Sequence, residues 1–134
     1  MTHADVQAWL DRYVDAWRTY DAASVAALFT EDAEYRYHPW DQGEDVAHGR
    51  DEIVESWLNP SGSASNRDAP GTWSAHYEPF AVDGNRAVAI GESAYYTDAT
   101  QATEDRRYWN NWLLEFDDAG RCRSFVEYYM ARRT

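Results

Sequence analysis

Among the 24 acidic residues of this chain, one stands in unusual company. Glu127 lies between Phe125 and Tyr129 on alternate positions of the run Phe125-Val126-Glu127-Tyr128-Tyr129, so the three side chains share one face of a strand. A carboxyl sheltered by aromatic rings rises in pKa, which suits it to take and return a proton near neutral pH. The other reading is a surface carboxylate paired with Arg107 or Arg123. In the preceding run Tyr108, Asn110, Trp112 and Leu114 share a face, and the Asn110 amide can donate to a ligand or to Glu127. His38 is the third group of interest, because a neutral imidazole is a competent base near pH 7. Glu127, Asn110 and His38 are therefore the candidate catalytic residues. In Ala33–His38, however, Tyr35 and Tyr37 project from one face and Glu34, Arg36 and His38 from the other. A flat strand cannot turn both sets inward unless Pro39 bends it.

Composition removes several chemistries. All 12 basic residues are Arg, so no lysine is available for a Schiff base. The four histidines, His3, His38, His48 and His76, form no close pair at ligand spacing, and no calcium-loop pattern occurs. There is no Gly-rich phosphate loop, and Gly91-Glu92-Ser93-Ala94-Tyr95 lacks the second glycine of a nucleophile elbow. No cofactor and no metal are expected. The single cysteine, Cys122, cannot form an internal disulfide and reads as a packed small residue. A formal charge of −12 disfavours nucleic acid and anionic membranes as partners. No run is apolar enough to span a bilayer, and the N-terminus has no basic and apolar regions of a signal peptide, so a cytoplasmic location is the expectation.

The elements that must position these residues follow from periodicity. Val6, Leu10, Tyr13, Val14 and Trp17 fall at helical spacing over Ala4–Tyr20, with Thr2 as cap. Asp21 caps a second, short helix carrying Val25, Leu28 and Phe29. Ala33–His38 reads as a strand, Trp40–His48 as a polar loop, and Gly49-Arg50-Asp51 opens a third helix that Asn59-Pro60 ends. Asp51 favours that helix N-terminus and Arg50 braces the loop before it. Residues 61–71 read as a surface loop. Thr72–Val82 and Arg86–Thr97 form a hairpin about Asp83-Gly84-Asn85, and Arg106–Phe116 and Arg121–Arg132 form another about Asp117-Asp118-Ala119-Gly120. On Arg86–Thr97 one face carries the small residues Ala87, Ala89, Gly91 and Ser93, leaving room for a ligand or a helix. The expected architecture is a single α+β domain over 1–134, with three N-terminal helices packed on one face of a curved antiparallel sheet.

This order of elements resembles the nuclear transport factor 2-like superfamily and its SnoaL-like branch. The residues that carry the resemblance are the first helix with Tyr13 and Trp17, the runs Ala26–Ala33 and His48–Ile53, the turn Phe116–Arg121, and the last strand Phe125–Tyr129. The resemblance implies a cone enclosing a mostly apolar pocket, and a homodimer joined through the open face of the sheet, where Tyr96, Val126 and Tyr128 supply an apolar patch. It implies either a cofactor-independent enzyme doing acid/base chemistry (isomerisation, dehydration, cyclisation or epoxide opening) on a small apolar molecule, or a binding or scaffold domain without turnover. Position 127 resembles the place of a catalytic aspartate in the epoxide hydrolases, and Tyr13 the oxyanion donor of the ketosteroid isomerases. His38, before Pro39, resembles the isomerases' base. The departures are Trp112, where the isomerases have a second acid, and Gly91 and Ser93, where the hydrolases have an arginine and an aspartate. The epoxide hydrolase pattern turns Tyr35 and Tyr37 inward and leaves His38 at the rim. The expected pocket contacts are Tyr13, Trp17, Tyr35, Tyr37, Tyr108, Trp112, Phe125 and Tyr129.

Overall fold

A computed structural model describes residues 1–132. Helix α1 (His3–Thr19) starts where Thr2 and Asp5 cap each other: the Asp5 N–H donates to Thr2 Oγ1 at 3.1 Å, and the Thr2 N–H to Asp5 Oδ2 at 2.9 Å. It stops where Tyr20 turns left-handed and returns its N–H to the Ala16 carbonyl. Its inward stripe is Val6, Trp9, Leu10, Tyr13 and Ala16. Helix α2 (Ala22–Ala26) is capped by Asp21 but ends before Leu28 and Phe29, which periodicity had assigned to it. Phe29 instead opens strand β1 (Phe29–Arg36), four residues earlier than expected. The reason is a competing set of partners: the Leu28 carbonyl accepts from both Trp9 Nε1 and the Cys122 N–H, which pulls this segment into the sheet.

Strand β2 (Ala47–His48) and helix α3 (Arg50–Leu58) follow. The approach to α3 is tight. The Gly49 N–H donates to the Ala33 carbonyl at 2.6 Å, and Gly49 takes a φ of +86° that side chains disfavour. Arg50 Nε donates to the Phe29 carbonyl at 3.0 Å, so it braces this corner as its position implied. Residues 60–71 contain two short 3-10 turns, at Pro60–Gly62 and Ala64–Asn66.

Strands β3 (Trp73–Asp83), β4 (Arg86–Tyr96), β5 (Glu104–Phe116) and β6 (Cys122–Ala131) form the expected meander. The sheet order is β2-β1-β6-β5-β4-β3. It is not wholly antiparallel: β1 runs parallel to β6, with Tyr35 opposite Phe125, and the register slips between Phe29 and Glu34. The three helices pack on this open, curved sheet to make an α+β cone.

The core fills the narrow end of the cone. Trp9 is fully buried and meets Phe29 and Phe116 edge-on, with ring centroids 6.0 and 5.4 Å apart. Phe125 and Cys122 close the layer from β6. Cys122 is a packed core residue, and burial pushes its thiol up to about 12. Among the described residues no helix is long and apolar enough to cross a membrane.

Candidate functional site

Towards the wide end the packing opens into a cavity of about 480 Å³. The inward faces of β4, β5 and β6 carry Ser93 and Tyr95, Tyr108, Asn110 and Trp112, and Glu127 and Tyr129 into its lining. These are the faces that strand alternation selected. Helix α1 contributes Tyr13 and Trp17 from above.

Glu127 is partly buried and lies opposite Trp112 in the β5–β6 register. Among the described residues its carboxylate makes no hydrogen bond and no ion pair. The surface alternative does not occur: Arg107 binds Glu92 and Glu104, each at 2.7 Å. Burial among the rings therefore acts uncompensated, and raises the Glu127 carboxyl from its ordinary 4.5 to about 7.

Around it the polar atoms are mostly accounted for, with a few left over. Tyr77, on β3, lies flat on Trp112 with centroids 3.7 Å apart. Its hydroxyl accepts from Asn110 Nδ2 at 2.5 Å and lies 2.6 Å from Ser93 Oγ. Burial pushes the Tyr77 phenol up to about 12. Asn110 Oδ1 and Trp112 Nε1 are buried without a partner. The Tyr13 and Tyr35 hydroxyls meet at 2.6 Å. Two phenols sharing one hydrogen bond leave one O–H proton over, and burial holds both groups well above the usual phenol range, so both stay protonated.

Strand β1 ends at Arg36, and this resolves the question of which side chains turn inward. The Asp41 carboxylate accepts the backbone N–H groups of both Tyr37 and His38 at 3.0 Å, replacing the ladder bonds a longer strand would make. Alternation lapses there, and Tyr35, Tyr37 and His38 all reach the cavity lining. His38 sits at the mouth, its ring Nδ1 held 3.1 Å from Asp41 Oδ1 and its face against Trp40. Asp41 itself is buried.

One expected contact falls elsewhere. Phe125 is fully buried beneath the cavity, stacked on Tyr35 at 4.2 Å and on Tyr13 at 5.5 Å, and it supports the floor instead of lining it. The remaining expected lining residues, Tyr13, Trp17, Tyr35, Tyr37, Tyr108, Trp112 and Tyr129, do border the cavity, as do Glu127, Asn110 and His38. Sequence reasoning missed Tyr77 and Asp68. The first was within reach of strand parity, since Trp73, Ala75 and Tyr77 alternate. The second had no signal: Asp68 comes from the 61–71 loop and is fixed only by tertiary bonds, accepting from Trp17 Nε1 at 2.9 Å and from the Tyr20 hydroxyl at 3.4 Å. The small face of β4 also has its explanation. At Gly91 a Cβ would collide with the His76 carbonyl and the Tyr77 ring, so the missing side chain makes room for a tyrosine.

Among the described residues no group of three His, Cys, Asp or Glu side chains is placed to hold a metal ion.

Three helices on a curved open sheet, with an aromatic cavity between them, define a cone of the nuclear transport factor 2-like kind. The chain belongs to the SnoaL-like domain family, whose pattern matches residues 10–125. Among solved structures it is similar to an M. tuberculosis LEH-like epoxide hydrolase, at 15% identity and a TM-score of 0.62, over 96% of this chain and 84% of that one. At that identity the likeness is one of fold. No curated protein matches the sequence.

Proposed function

We propose that this protein is a cofactor-independent enzyme in which Glu127 transfers a proton on a small, largely apolar molecule held in the aromatic cavity. The observation that carries this reading is the unpaired Glu127 carboxyl, raised to about 7 by burial. Near neutral pH such a group exists in both forms, so it can remove a proton as carboxylate and return one as acid. The spare O–H of the Tyr13–Tyr35 pair and the unpartnered Trp112 N–H are donors for an oxygen that gains charge as the proton leaves. Asn110 orients the ligand through its free carbonyl oxygen. His38, steadied by Asp41, serves as a second proton carrier at the mouth. Isomerisation, dehydration, cyclisation and epoxide opening all fit this set of groups.

The test is turnover of a panel of terpenoid and polyketide ketones, alcohols and epoxides, followed by mass spectrometry. Glu127→Gln should lose about 10²- to 10⁴-fold in rate while keeping its circular dichroism spectrum. Equal turnover by the variant and the parent protein would end the proposal. A non-catalytic binding role is favoured by one feature, the lack of any second carboxylate at the Gly91 and Ser93 positions of β4. Saturating ligand recovered unchanged after long incubation supports that role.

A homodimer is part of the same reading. The outer sheet face exposes Leu113, Tyr128 and Met130 by 40%, 43% and 71%, a patch suited to a second copy. A monomer in sedimentation at micromolar concentration contradicts it.

A further inference from the structure

The charge carried by the cavity wall is one-sided. Of its eighteen lining residues eleven are Tyr or Trp, two are acids, Glu127 and Asp68, and none is an arginine. The chain has 12 basic residues, all Arg, yet none of the described ones lines this space. His38 already leans on the Asp41 carboxylate. Glu127 has no partner among the described residues, and Asp68 uses only Oδ2 in its bonds to Trp17 and Tyr20, leaving Oδ1 free. Aromatic faces carry the negative lobe of the ring quadrupole, so rings and carboxylates here favour the same sign of guest.

The wall also shows what its rings accept. Two guanidinium groups approach it without entering the lining: Arg67 lies over the Tyr20 ring at 5.2 Å, and Arg106 over the Tyr95 ring at 4.1 Å. An anionic ligand would face two acids with no counter-charge. A neutral ligand can accept or donate hydrogen bonds here but leaves the two acids of the wall without a counter-charge. A positive centre on an apolar body gives the carboxylates of this wall a counter-charge and suits the faces of the rings. The protein's charge of −12 draws such a molecule toward the surface. A cavity of about 480 Å³ holds a single-ring or two-ring body with such a group attached.

We propose that the ligand of this cavity is a small organic ammonium ion: an apolar, ring-sized body bearing one protonated or quaternary nitrogen. This rests on the cavity being the ligand site described under the proposed function, but not on Glu127 moving a proton.

The test compares phenyltrimethylammonium with tert-butylbenzene, which has the same shape with carbon in place of the charged nitrogen. Dissociation constants are read from tryptophan fluorescence in high salt, where attraction to exposed acids is screened. The cation should bind at least about tenfold tighter, a difference of about 1.4 kcal/mol. Glu127→Gln or Asp68→Asn should cut that preference by about threefold or more. Equal or tighter binding of tert-butylbenzene overturns the proposal, and so does no binding of either probe. A preference undiminished in both variants also overturns it, because the attraction then belongs to the acidic surface. None of these results bears on the acid/base reading, which stands or falls on turnover by Glu127→Gln.

Discussion

Strands β5 and β6 run from a closed end to an open one, and the same alternation of side chains has opposite consequences at the two. At the closed end Phe116, Cys122 and Phe125 are wholly buried. At the open end Glu127 is only partly buried and Tyr129 is 48% exposed, although it sits on the same face of β6. The difference comes from what lies opposite. Helix α1 delivers Trp9 and Leu10 into the closed end, where they fill the space between sheet and helix. One turn and two turns further on it delivers Tyr13, edge-on to Trp57, and Trp17, stacked on Trp73, and these rings border a space instead of filling it. Strand parity decides which side chains face inward. Whether inward means core or cavity is decided by the rings on the facing helix.

The contrast can be broken most forcefully at Trp9. Trp9→Ala removes a fully buried indole and its hydrogen bond to the Leu28 carbonyl. The cost should be about 3–5 kcal/mol, read from urea or thermal unfolding. A loss below about 1 kcal/mol would mean that the closed end does not anchor the fold. Gly91→Ala comes next. The added methyl has no free space, because the His76 carbonyl and the Tyr77 ring occupy it, and the expected cost is about 3 kcal/mol, with β3 pushed back and Tyr77 displaced from Asn110 and Ser93. An unperturbed variant would show that β3, with Tyr77 on it, is not held against β4 as closely as this contact implies.

Glu127 sharpens the comparison from the other side, because an uncompensated acid in the open end should weaken the fold. Its carboxyl is raised from 4.5 to about 7 on folding. Between these values the unfolded chain releases the proton while the folded protein keeps it, so stability from this group is intact below about pH 4.5 and falls as pH rises towards 7. The full penalty is about 3 kcal/mol above pH 7. Glu127→Gln should therefore match the parent protein at pH 4 and exceed it by about that amount at pH 8. The measurement is the difference between the two unfolding curves at each pH, which cancels the effect of the other carboxylates. A variant whose advantage over the parent protein is no larger at pH 8 than at pH 4 would place the carboxyl in water.

Much of this arrangement is legible in the sequence. The period of α1, the two hairpins and the inward faces of β4, β5 and β6 follow from alternation and turn residues, which act locally. That is why Glu127, Asn110 and Trp112 were found together. What was misread depended on distant partners. Phe29 left its helix for β1 because the Leu28 carbonyl is claimed by Trp9 and Cys122, far along the chain. The parallel pairing of β1 with β6 joins segments separated by most of the sequence. Tyr37 and His38 both reach the cavity because the Asp41 side chain takes their backbone donors, an exchange that face-counting cannot register. Phe125 has the right parity for the pocket and the wrong depth, since depth depends on Tyr13 and Tyr35 lying across it.

The smallest expected effect on stability belongs to Tyr129. Its ring is half exposed at the mouth, edge-on to Tyr108 at 5.6 Å and tilted against His38 at 5.5 Å. Truncation to alanine removes few buried contacts, so Tyr129→Ala should cost less than about 1 kcal/mol. Its effect on a bound ligand should be larger in proportion, because an aromatic contact is worth about 0.5–1.5 kcal/mol, or several-fold in affinity. The pairing of the two readouts is the point. At the closed end, removing a ring should destabilise the protein and weaken binding only through unfolding. At the open end, removing a ring from the same face of the same strand should leave unfolding nearly unchanged and weaken binding directly. If Tyr129→Ala instead unfolds as readily as Trp9→Ala, the mouth is part of the core, and the division between a packed end and a working end does not exist.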